Sequence, residues 1–89
     1  MTELMTRSLP DWEQAAAQGM VEAQYNLGLM YAGGLGVAQD YVLAHKWFNI
    51  AAVHGSDEAR QSRREVARDM TPDQIAAAQR LAREWQHRH

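Results

Sequence analysis

The chain has 89 residues, 46% hydrophobic and 22% charged, with two prolines and no cysteine: the length of one domain, and too apolar for a disordered tail. Without cysteine there is no disulfide framework and no thiolate metal site, which suits a reducing, cytoplasmic setting. A net charge of −2 does not advertise nucleic acid, and the short apolar runs neither span a membrane nor form a leader at Met1–Arg7.

Alanine is abundant and glycines cluster between 28 and 36, which is the grammar of helices with short breaks; no strand alternation competes. Residues 1–9 read as a flexible N-terminal segment ahead of a single helical domain over 10–89. The first helix is predicted from Pro10 to Gln18, with Ser8 as cap and Gly19 as stop. The second runs from Val21 to Ala32 and ends at Gly33-Gly34-Leu35-Gly36, since each glycine costs about 1 kcal/mol relative to alanine inside a helix. The third opens at Asp40, whose carboxylate suits a helix N-terminus, and closes at His54-Gly55. Its apolar residues cover a wide arc (Leu43, Trp47 and Ile50 beside Ala44, Phe48, Ala51 and Ala52), so it should be packed on more than one side.

A fourth helix covers Asp57 to Asp69 and a fifth Pro72 to Gln86. The fifth has the strongest start signal: Thr71 as cap, Pro72 in the first turn, Gln74 completing a capping box, and Met70 with Ile75 as a hydrophobic staple. Charge is uneven along this order. Residues 1–54 carry two basic and five acidic side chains, a balance of −3; residues 55–89 carry seven arginines and six acids, a balance of +1. Arg60, Arg63, Arg64 and Arg68 recur at helical spacing and read as a solvated face, with an anion patch as the sharper alternative.

Shifting the chain by 36 residues aligns Ala15–Ala23 with Ala51–Ala59, five of nine positions identical, including Gly19 with Gly55. A period in the thirties with two helices per unit signals a helical repeat. The residues Leu27-Gly28, Tyr31, Gly34, Gly36-Val37, Asp40-Tyr41, Ala44, Lys46-Trp47, Ala51-Ala52 and Gly55, in that spacing, strongly resemble the Sel-one-like repeat, a branch of the tetratricopeptide superfamily. The resemblance implies an all-α fold, a short right-handed α-solenoid of antiparallel helical hairpins. One full repeat would cover 20–55, a half repeat 10–19, and a C-terminal capping hairpin 57–86, where Arg63-Arg64 replace the expected Leu-Gly. Gly28, Ala44 and Ala51 would keep helices close while Leu27, Tyr31 and Trp47 fill the gap between hairpins. The first helix lacks its own hairpin partner, so the expectation is either a homodimer that covers the N-terminal edge or descent from a longer array.

Chemistry is sparse. His54 reads as a helix C-terminal residue favoured by the dipole, His45 and Asn49 as neighbours on the polar side of the third helix, and His87 and His89 as a frayed tail without further metal ligands. No serine, threonine or cysteine occupies a nucleophile elbow, and the glycine cluster lacks the lysine of a phosphate loop. The expectation is therefore no enzyme, no cofactor and no metal. A hydrolase role of the kind claimed for cysteine-rich relatives of the repeat is disfavoured by the absence of cysteine.

In tetratricopeptide-like arrays the first helix of each hairpin lines the concave face. The resemblance thus implies an adaptor that binds a peptide or protein surface through Glu22, Tyr25, Asn26 and Leu29 of the second helix and Gln61, Glu65 and Arg68 of the fourth. Tyr25 and Leu29 read either as an exposed pair, as recognition grooves use, or as packed against the fourth helix or a dimer mate. The alternative is a small regulator that binds nucleic acid through the arginine-rich C-terminal hairpin, which overall charge argues against.

Overall fold

The computed structural model describes residues 8–89, which form five helices and no strand: α1 (Leu9–Ala17), α2 (Val21–Gly33), α3 (Tyr41–Val53), α4 (Asp57–Ala67) and α5 (Pro72–Arg88). The fold is all-α and solenoid-like. Local chemistry sets the boundaries. Ser8, Asp40, Ser56 and Thr71 each accept a backbone N–H from the first turn that follows, satisfying donors that have no intrahelical partner. At α1 and α5 the cap is reciprocal, closed by the Asp11 and Gln74 side chains. Ser8 and Leu9 therefore belong to the first helix, not to a flexible lead; the rest of that expected segment, residues 1–7, lies outside the described residues.

Gly19 and Gly55, equivalent across the repeat, have φ of 93° and 104°. That region is strained for any residue with a Cβ, and it turns the chain from α1 into α2 and from α3 into α4 by the same device. Gly34 ends α2 in the left-handed conformation.

α3 is the hub. It packs on α2, on α4 and on α5, while α1 packs on α2 and a lesser contact joins α2 to α4. Its wide apolar arc divides between two cores. Trp47 and Ile50 join Trp12, Ala16, Leu27, Met30 and Ala82, while Ala44, Phe48, Ala51 and Ala52 join Ala59 and Val66. α5, expected to pair with α4 as a capping hairpin, instead packs chiefly along α3, where Trp85 meets Trp47 edge-on at 5.4 Å between ring centroids. At the N-terminal edge α1 turns Asp11, Glu13, Gln14 and Ala17 to solvent, and the exposed Gln18 cap and Met20 follow it.

Candidate interaction surface

α2 and α4 each place their first turn beside the α3–α4 turn. Between them opens a cavity of about 550 Å³ lined by Val21, Glu22, Tyr25, Asn26, His54, Gly55, Ser56 and Glu58. Glu22 and Glu58 are one repeat apart and enter the cavity from α2 and α4, the helices before and after α3. Both stand in the first turn of their helix, where the backbone dipole favours a carboxylate. Tyr25 is half-buried, its ring 5.8 Å from that of Phe48 in a tilted contact. Leu29 is likewise half-buried against the Phe48 core. The pair is therefore half-buried and partly invested in packing, closer to the packed alternative than to a fully exposed pair. Glu22, Tyr25 and Asn26 converge in the cavity; Leu29, Gln61, Glu65 and Arg68 do not line it, the last three lying exposed along α4.

One wall of the cavity is fixed by a residue that the sequence did not single out. Gln24 is fully buried; its Nε2 donates to the Ala16 carbonyl at 3.1 Å, and its Oε1 lies 2.9 Å from His54 Nδ1. Because that oxygen can only accept, His54 carries its proton on Nδ1 and donates it. His54 thus does more than complement a helix dipole. It ties the end of α3 to α2, and through Gln24 to the last turn of α1.

His45 differs from expectation too. It is 3% exposed, buried rather than on a polar side, and its Nδ1 accepts from Asn49 Nδ2 at 3.0 Å. Asn49 Oδ1 in turn accepts from Arg63 Nη1 at 2.7 Å. Burial, and then the Arg63 charge, push the imidazole below its ordinary value of 6.5. Lys46 is also lowered, chiefly by burial; its ammonium lies 4.6 Å from the centre of the Trp47 ring.

The arginines do not form one free patch. Arg63 turns inward to Asn49, Arg60 pairs with Asp57 at 3.0 Å, and Arg80 lies 3.9 Å from Glu84. Among the described residues, no three His, Cys, Asp or Glu side chains converge to hold a metal, and no helix is long and apolar enough to cross a membrane.

A hub helix shared by successive neighbours, a positive-φ glycine recurring at one period and a groove between successive first helices define an α-helical repeat protein. Residues 21–56 match the family model of the Sel1 repeat, so that segment of the chain is a Sel1-like repeat. The chain is similar to a crystal structure of a protective antigen present in uropathogenic Escherichia coli strains and displaying an SLR (Sel1-like repeat) fold. That match has a TM-score of 0.79 and 33% identity, and it covers 83% of this chain and 16% of the other. Over 54 residues the chain is also 41% identical to chitin synthase regulatory factor 3 of Schizosaccharomyces pombe, covering 61% of this chain and 6% of the relative. The chain thus spans a small part of each of these proteins.

Proposed function

We propose that this protein is a non-catalytic interaction module that grips a peptide or protein surface along the groove between α2 and α4. The observation that carries this reading is the cavity that gathers Glu22, Tyr25 and Asn26 with Glu58, on the helices that line the concave side of such arrays. The Sel1 match and a relative whose name describes a regulatory factor support it. Glu22, Tyr25, Asn26 and Leu29 would contact the partner first, with Gln61, Glu65 and Arg68 extending the surface along α4.

Affinity capture from nuclease-treated source lysate tests it. Tyr25 and Leu29 take part in packing, so the informative variant is Glu22→Lys/Asn26→Ala, paired with Val53→Ser on a different surface as control. The expected outcome is a protein partner recovered by the native chain and by the control but lost by the groove variant, with all three melting alike. A partner retained by the groove variant rejects this surface. Capture that vanishes on nuclease treatment moves the function to nucleic acid.

A further inference from the structure

The polar chain that runs from α4 into α3 has a fixed direction. A guanidinium has only donors, so Arg63 obliges Asn49 to turn its carbonyl oxygen toward α4. The Asn49 amide nitrogen is then aimed at His45, which must receive it on an unprotonated Nδ1. His45 is therefore neutral, with its proton on Nε2. We propose that Arg63, Asn49 and His45 form an acid-sensitive latch that ties α4 to α3 and lets go when the imidazole takes up a second proton.

Protonation would set a ring N–H against an amide N–H. Turning Asn49 over relieves that clash only by presenting its NH₂ group to Arg63, which moves the conflict to the other end. At 3% exposure His45 gains no solvent in compensation. Charges on the packed elements do not help either. α4 supplies Arg63, whose cation opposes a second one; α5 supplies Arg83, which lines the hollow beside Asn49; and the charged residue of α2, Glu22, lies in the cavity beside His54, at the other end of α3. Desolvation, and then Arg63, lower the folded-state value below 6.5. The latch is accordingly intact above the ordinary imidazole value and is lost as pH falls through the depressed one. Because α4 carries Glu58, its release would also loosen the cavity, a consequence that rests on the groove reading above; the latch itself does not.

The test is an NMR titration of the four histidines, with amide hydrogen exchange, on the full chain between about pH 7.5 and about pH 5, a range that brackets the ordinary imidazole value. His45 is expected to titrate below 6.5. The α4 amides, corrected for intrinsic rates, should lose protection by up to about tenfold for each unit of that depression. Asn49→Asp places an acceptor between two cationic groups; it should raise the His45 midpoint above that of the native chain and reverse the acid response. His45→Gln should abolish the response. A native His45 midpoint at or above 6.5, or an unchanged acid loss in His45→Gln, overturns the latch. Should His45→Gln fail to fold, the native titration and Asn49→Asp decide the matter between them.

Discussion

Gly28 is small because Phe48 is large. A methyl group built on Gly28 would run into the Phe48 ring, which is 1% exposed and has no room to retreat. Gly28→Ala is therefore expected to destabilise by about 1–3 kcal/mol through overpacking, against the usual gain of alanine over glycine in a helix. Combining it with Phe48→Leu should cost less than the two single changes together, because the smaller side chain vacates the disputed space; urea titrations of the three variants measure this coupling. The glycine and its need for a close partner were legible in the sequence. Gln24 was not, since a glutamine within an apolar helix looks like a surface residue until the fold brings Ala16 and His54 to either side of it. Here Gln24→Ala is expected to cost about 1–3 kcal/mol, as two hydrogen-bonded groups lose a buried partner. His54→Ala should cost less, and the double variant should show a positive coupling of about 0.5–3 kcal/mol in a thermodynamic cycle. Additive effects would mean that the 2.9 Å contact contributes nothing to stability.

At the scale of elements, the sequence announced where helices begin far better than what they touch. All five segments were legible, because caps, first-turn prolines and stop glycines act within a few residues of themselves. The α5 start makes the point testable. Thr71 accepts from the Gln74 N–H at 3.1 Å while the Gln74 side chain accepts from the Thr71 N–H at 2.8 Å. Thr71→Ala should lower stability by about 1 kcal/mol, and Thr71→Gly by only a few tenths, as glycine frees the end to bind water. Equal losses for both would show that the cap is not what holds the end. Side-chain destinations were less legible for a physical reason. His45 and Asn49 are separated by one turn, a pattern equally compatible with solvent and with a polar seam; only the docking of α4, which delivers Arg63, selects the seam. Three of the expected groove residues reach one cavity because they share a turn of α2, whereas those on α4 depend on a helix–helix offset that periodicity does not encode.

At the scale of the molecule, α5 lies along α3, the helix shared by both cores. A repeat protein buries each hairpin only against its neighbours, so the face of α3 left open by α2 and α4 needs a further element to cover it. α5 does this with small residues and one large one: Ala82 enters the Trp12–Leu27–Ile50 core, and Trp85 covers Trp47. Trp85 is itself flanked by His89, whose ring stacks on it at 4.1 Å and 14° and whose Nδ1 donates to the Trp85 carbonyl at 2.8 Å. Trp85→Ala removes the edge-on pair and opens Trp47 to water, and is expected to cost about 2–4 kcal/mol. The loss should reach every helix, because α3 contributes to both cores and cannot be released from one alone. Unfolding of the variant followed by tryptophan emission and by far-ultraviolet circular dichroism should therefore remain coincident, at a lower midpoint than in the native chain. If the two probes separate, with helix content outlasting the tryptophan signal, then α5 is a removable cover over an independently stable α1–α4 stack. A single shifted transition would establish it as an integral part of the fold.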